Sequence, residues 1–231
     1  MIHWAEAVGA VGAKEAGDRF RADPNTDNHD MTTQLFYGMD AWNSWSKEER
    51  KLHRYVVKAI NLGLSYEMGP GKLAKSLDQP YEVYRDHKGR EKYKAGPETY
   101  ALLNQYHEKL PYVKGFSKSA MGAAGRMGYV CTILGRRCRF EYDEAKEEFT
   151  FTYRAGNRVV QGSAGDQTKM ALVLADEAGL EVNLQVHDEI DACFESEKEA
   201  KLLEEVMLEA VPCSVPHKVD LESGPSWGEV K

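Results

Sequence analysis

Apolar and polar positions divide the chain into blocks punctuated at Asp23-Pro24-Asn25, Gly69-Pro70-Gly71, Gly96-Pro97 and the segment from Pro212 to Pro216. The pattern predicts a helix from Trp4 to about Phe20 and a second from Asn28 to Phe36, capped by Asp27 or Asn28. A third runs from about Lys47 to Tyr66 and is the best signalled, because Ser46 and Glu49 have the spacing of a capping box. Gln79 to Ala95 is polar and tyrosine-rich, with His87-Lys88-Gly89-Arg90 as a turn, and reads as a short hairpin or a mobile loop. Pro97 to about Met127 is helical with a break near Pro111. Tyr129 to Phe140 and Phe149 to Tyr153 alternate as strands joined by the acidic linker Asp143 to Glu148. A long helix from Gln161 to Ala178, a strand, turn and strand through Leu184 to Phe194, and a helix from Lys198 to Ala210 complete the chain.

Alternation around His187-Asp188-Glu189 constrains the turn between the last two strands. Val186 shares an apolar face with Ile190, and Leu184 with Ala192, only if an odd number of residues separates the strands, so a three-residue loop is expected. Two adjacent carboxylates and an imidazole then sit at a hairpin tip. Neighbouring carboxylates repel unless a cation lies between them, and a hard divalent ion such as magnesium suits oxygen ligands. Taken alone, the tripeptide reads as a polar turn.

On the third helix Arg54, Lys58, Leu62 and Tyr66 recur at steps of four and form a slowly drifting stripe. Two cations one turn apart, followed by an apolar and an aromatic residue, suit a triphosphate at one end and a base at the other. Taken alone, this too reads as a solvated basic face running into a core contact.

Composition narrows the choice only slightly. An apolar content of 42% is ordinary for a globular chain, and no apolar run is long enough to span a bilayer, so no membrane partner is expected. The opening MIHWAEAVGAVGAKEAG lacks the form of a secretory signal, which predicts an intracellular, cytoplasmic protein. Four cysteines without a CxxC pair predict free thiols and neither disulfides nor a zinc site. A net charge of −7 argues against simple coating of nucleic acid, but basic residues crowd into Lys47 to Lys58, Lys72 to Lys118 and Arg136 to Arg139. The layout is a basic working surface on an acidic body.

Together the two blocks resemble the family A, polymerase I-like, DNA polymerases. Arg54-x3-Lys58-x3-Leu62-x3-Tyr66, within KAINLGLSY, looks like that family's motif B on the fingers helix, and Leu184 to Ile190 (LQVHDEI) looks like motif C on the palm hairpin. Between them GYVCTILGRR, from Gly128 to Arg137, and NRVVQGSAGD, from Asn157 to Asp166, match two further family segments in order. The resemblance implies an α+β polymerase right-hand fold with mostly helical fingers and part of an antiparallel palm sheet. It places a palm-proximal helix in 1–27, fingers in 28–150, with an inserted hairpin at 81–95, and palm in 151–231.

The resemblance also implies roles. Arg54 and Lys58 bind the phosphates of a dNTP, Lys58 being in addition a proton donor to the leaving pyrophosphate. His29 contacts the same phosphates, and Tyr66 stacks near the templating base. Leu62 lies against the nucleotide sugar. Asn157, Gln161, His187 and Arg154 touch primer-template DNA near the primer terminus. Asp188 ligates two magnesium ions with Glu189 beside it, and phosphoryl transfer to the primer 3′-hydroxyl follows.

Three departures from the family pattern stand out. Leu62 replaces the usual aromatic residue, Glu67 replaces the glycine after the motif B tyrosine, and motif A, with the other metal-binding aspartate, falls at or before Met1. Ile2-His3 matches only the tail of motif A, and no segment looks like a thumb or a proofreading exonuclease. The expectation is one subunit of a split polymerase, suited to a phage, with a separate N-terminal subunit supplying motif A and the thumb. Two alternatives are a catalytically inactive DNA-binding scaffold and an unrelated two-metal nuclease. The scaffold leaves the joint retention of Arg54, Lys58, Tyr66, Asp188 and Glu189 unexplained, and the nuclease leaves motif B unexplained.

Overall fold

The computed structural model describes residues 1–65 and 68–229. Tyr66, the expected end of the motif B stripe, and Glu67 lie outside the described residues. The chain is α+β and forms two compact units, one of Met1–Arg19 with Asn25–Met121, the other of Phe20–Pro24 with Gly122–Lys231.

Helices come first in the chain: α1 (Ile2–Ala7), α2 (Ala13–Ala22), α3 (Asn28–Tyr37), α4 (Met39–Ser44), α5 (Lys47–Ser65) and α6 (Pro70–Ser76). The single helix expected from Trp4 to Phe20 is therefore two helices. Gly9 and Gly12 take φ of +65° and +79°, a left-handed backbone that interrupts helical hydrogen bonding and that glycine adopts at least cost. The start of α5 follows the capping-box reading. Glu49 Oε2 accepts from the Ser46 N–H at 2.8 Å, and Ser46 Oγ accepts from the Glu49 N–H at 3.2 Å. Along α5, Val57, Ile60 and Asn61 are buried while Lys58 and Leu62 are exposed, so the helix turns one face to α3 and the other to solvent.

Tyr81–Arg85 (β1) and Glu91–Ala95 (β2) pair antiparallel, so the segment is a hairpin and not a mobile loop. Its turn is fixed by Asp86, whose Oδ1 accepts from the N–H groups of Lys88 and Arg90. Then come α7 (Pro97–Lys109) and α8 (Pro111–Met127), broken at Pro111 as expected. The first unit's interior holds Met31, Phe36, Val57, Ile60, Leu73, Tyr106 and Leu110.

In the second unit Tyr129 to Phe140 is not one strand. Tyr129–Cys131 (β3) folds back on Arg137–Arg139 (β4) through a turn at Gly135, whose φ is +79°. The acidic linker Asp143 to Glu148 is likewise a turn between Tyr142–Asp143 (β5) and Glu148–Phe149 (β6), and the expected strand ends there in a 3-10 turn, Thr152–Arg154. Helix α9 (Ala155–Glu177) begins before the expected Gln161. It is followed by β7 (Val182–Val186), β8 (Glu189–Ala192) and α10 (Glu197–Glu209), the last capped by Ser196 Oγ. Ala175, Leu180 and Leu203 are the centre of a small core against which Val182, Ile190, Ala192 and Phe194 pack.

The motif C turn differs from the three-residue loop read from the sequence. Val186 opposes Glu189 and Gln185 opposes Ile190, which leaves only His187 and Asp188 in the turn. A bulge at Asn183 then restores Val182 opposite Ala192. The expected sharing of a face by Val186 with Ile190 and by Leu184 with Ala192 is therefore not formed, and the bulge brings only Val182 opposite Ala192. Leu184 and Val186 consequently share a face with Asp191 and Glu189 and are 47% and 41% exposed.

Candidate active site

Two groups of residues carry the expected chemistry, one in each compact unit. In the first, Arg54, Lys58 and Leu62 occupy the solvent face of α5, Leu62 being 41% exposed. Lys58 makes no hydrogen bond among the described residues and is available to an anion. Arg54 is already engaged. Its Nη2 lies 2.8 Å from Asp27 Oδ2 and its Nε 2.6 Å from Asp30 Oδ1, tying α5 to the first turn of α3.

Asp27 serves two elements at once. Its Oδ1 caps α3 by accepting from the N–H groups of His29 and Asp30, both at 2.8 Å. Partial burial pushes its pKa up, but hydrogen bonds from the Asp30 N–H, Arg54 and the His29 N–H outweigh this and hold the carboxyl below its ordinary range. His29, two residues after the cap, is half-buried. Desolvation lowers its pKa, Arg54 and Lys58 reinforce that direction, and Asp27 and Asp30 oppose it. Its Nδ1 is 3.1 Å from Asn61 Nδ2.

In the second unit the two middle family segments meet. Ser163 Oγ accepts from the Ile133 N–H at 3.0 Å, and Arg136 pairs with Asp166 at 2.8 Å while its Nη2 also donates to the Gly162 carbonyl at 3.0 Å. Gly162 must lack a side chain, since a Cβ there would lie 2.6 Å from Thr132 Cγ2. These contacts fix α9 against the β3–β4 hairpin. Asn157 and Gln161 stand one turn apart on α9, each partly exposed. Arg154, just before α9, stacks over Phe151 and Tyr153 with Cζ 5.0 and 5.6 Å from the ring centroids.

The β7–β8 hairpin presents His187, Asp188 and Glu189 to solvent. His187 takes a left-handed φ of +62°, and its carbonyl accepts from Gln185 Nε2, which braces the turn from inside. Glu189 Oε1 accepts from Trp227 Nε1 at 3.4 Å, and the C-terminal segment borders a groove of about 930 Å³ lined also by Asp188, Ile190 and Leu203. Asp191, on the same strand face as Glu189, has a buried Oδ2 with no hydrogen-bond partner among the described residues. Carboxylate oxygens suit a hard divalent cation, so Asp188 and Glu189 fit magnesium by donor type. The donor set is partial, because among the described residues no three His, Cys, Asp or Glu side chains converge as a metal site.

Sequence reasoning missed four of these residues. Asp27 was named only as a cap, Asp30 not at all, and Asn61 is one polar residue in an otherwise apolar stretch of KAINLGLSY. Trp227 sits in a polar tail without periodicity. The only available signal was that an asparagine at a helix position flanked by buried Val57 and Ile60 must itself be buried and therefore hydrogen-bonded.

A sequence model described as DNA polymerase family A matches residues 14–229. The chain is 37% identical to a DNA-directed DNA polymerase of Pseudomonas phage M6 over 94% of its own length and 33% of that protein. It is 32% identical to the thermostable DNA polymerase I of Thermus aquaticus over 78% of its length and 21% of that enzyme. Among solved structures it superposes on the POL domain of Pol1 from M. smegmatis, in complex with DNA primer-template and dNTP, with a TM-score of 0.73. That match has 26% identity and covers 98% of this chain and 38% of the other. The chain thus spans a third or less of the length of the phage M6 and Thermus aquaticus polymerases. With the family's motifs in order and the match running almost end to end, the chain belongs to DNA polymerase family A.

Proposed function

We propose that these residues form the fingers and the motif C part of the palm of a template-directed DNA polymerase, transferring a nucleotidyl group from a dNTP to a primer 3′-hydroxyl. The observation that carries the reading is the solvent face of α5, where Arg54, Lys58 and Leu62 align and Lys58 makes no hydrogen bond among the described residues. The solved relative bound to primer-template and dNTP supports the same choice of partners.

On this reading Arg54 and Lys58 grip the triphosphate, Arg54 through its fork and Lys58 as a point charge that also donates a proton to pyrophosphate. His29 adds a hydrogen bond to the same phosphates, Leu62 packs on the sugar, and Tyr66 stacks near the template base. Asn157, Gln161, Arg154 and His187 hold the primer-template. Asp188 holds magnesium with Glu189 beside it. Two such ions, when bound, would lower the pKa of the 3′-hydroxyl and offset the charge of the triphosphate. The fingers would span 28–150 and the palm 151–231, with 1–27 as the helix next to motif A, working in the cytoplasm of a bacterial or phage-infected cell.

The reading includes a further aspartate, that of motif A, as a second metal ligand. A separate N-terminal subunit with motif A and the thumb is one source, and further sequence on the same polypeptide is the other. Two constructions distinguish them: the chain mixed with a polypeptide carrying motif A, and the same two joined as one. Primer extension by the mixture supports the split arrangement, and extension only by the joined form supports a single polypeptide. If neither extends a primer but DNA is still bound, the inactive scaffold is the better reading.

A further inference from the structure

The buried face of α5 carries a hydrogen-bond chain whose polarity can be worked out atom by atom. Tyr106, on α7, is 2% exposed, and its hydroxyl donates to Asn61 Oδ1. Burial pushes the Tyr106 pKa up, so this hydroxyl keeps its proton and can only donate to a carbonyl oxygen. The Asn61 amide is thereby oriented with Nδ2 on the opposite side. One Nδ2 hydrogen goes to Thr32 Oγ1 at 2.8 Å, and the other faces His29 Nδ1 at 3.1 Å. Thr32 has already given its own hydrogen to the Asn28 carbonyl at 2.8 Å, so it accepts from Asn61. Every donor and acceptor of the Asn61 side chain is used, as its 9% exposure requires.

A donor facing Nδ1 forces that nitrogen to be an acceptor. A protonated Nδ1 would set N–H against N–H at hydrogen-bond distance. We propose that Asn61, oriented by Tyr106 and Thr32, is a positioning residue that holds His29 as the neutral Nε2–H tautomer, so that the half-buried ring offers an anion a donor and never an acceptor. The anion's identity as a dNTP phosphate rests on the function proposed above, whereas the tautomer does not. The charged groups around the ring are mixed, Asp27 and Asp30 favouring the imidazolium and Arg54 and Lys58 opposing it, so the neutral form follows from the amide and from desolvation together.

The test is nitrogen-15 NMR of the His29 ring in the full chain. At neutral pH the wild type is expected to show a protonated Nε2 and a bare Nδ1. Asn61→Asp replaces the donor by an acceptor and moves the proton to Nδ1, raising the titration midpoint of His29. Tyr106→Phe removes the orienting donor, lets the amide turn over, and brings in a share of the Nδ1–H form. Neither change is expected of a residue that merely fills space. Should Asn61→Asp not fold, the wild-type tautomer and Tyr106→Phe carry the test. A proton on Nδ1 in the wild type, or an unchanged Nε2–H ring in the folded variants, overturns the proposal. Added magnesium-dATP should shift the Nε2 signal of the wild type and bind less tightly to Tyr106→Phe, in proportion to the share of the Nδ1–H form. A wild type with the stated tautomer but no response to dATP supports the lock and contradicts the nucleotide reading.

Discussion

Arg54 and Asp30 are joined at 2.6 Å between Nε and Oδ1, so one of the two cations expected to grip a triphosphate is held by carboxylates in the free chain. An incoming phosphate must compete with Asp30 and with Asp27 for the same guanidinium. Both carboxylates are two-fifths exposed or more, so each is well screened and the competition is modest. Asp30→Asn is expected to tighten binding of magnesium-dATP about twofold to fivefold, read by isothermal titration of the full chain. Weaker binding in this variant would mean that Asp30 helps to hold the nucleotide.

Asp27 is the more structural of the pair, since it caps α3 while pairing with Arg54. Asp27→Ala removes the acceptor for two backbone N–H groups and should cost about 1–2 kcal/mol, seen as a lower urea midpoint. Asp27→Asn keeps an acceptor and should recover most of that loss.

The contact between α9 and the β3–β4 hairpin makes a prediction of opposite logic, in which adding one methyl is harmful. Gly162→Ala would put its Cβ 2.6 Å from Thr132 Cγ2 and should cost about 1–3 kcal/mol. Thr132 Oγ1 also accepts from the Arg136 N–H at 3.1 Å, so Thr132→Ser deletes the clashing methyl and keeps that hydrogen bond. The double variant Gly162→Ala with Thr132→Ser should regain most of the lost stability in thermal denaturation.

His29 predicts a pH dependence whose sign is fixed by its lowered pKa. The folded chain binds its proton less readily than the unfolded chain, so its contribution is fully present above about pH 6.5, the unfolded value, and is lost as the pH falls through the folded pKa. His107, lowered by desolvation and by Lys114, acts in the same direction, while His217, raised chiefly by its hydrogen bond with Cys213, acts in the opposite one. Urea midpoints between pH 8 and pH 5 should therefore fall less steeply on acidification in His29→Gln than in the wild type.

Much of the fold was legible because it depends on neighbours in sequence. Ser46 and Glu49 announced the start of α5, Asp27 the start of α3, and Pro111 the break between α7 and α8. The failures lie where a local pattern had more than one solution. Alternation around motif C suggested a three-residue turn, but the strands pair through a two-residue turn with a bulge at Asn183, a register that only cross-strand pairing decides. The break of the first helix at Gly9 and Gly12 was a glycine signal overridden by apolar spacing. The motif B stripe was visible as spacing, but its engagement with Asp30 and the Asn61–His29 contact join residues 24 and 32 positions apart, which no periodicity encodes.

The most direct test of the account is primer extension by the chain completed with a motif A aspartate and thumb, comparing wild type, Lys58→Ala and Asp188→Ala. Asp188 lies in an exposed two-residue turn, so its substitution should leave folding intact. The account predicts extension by the wild type, a reduced rate with retained DNA binding for Lys58→Ala, and background activity for Asp188→Ala. Undiminished extension by Asp188→Ala would contradict it.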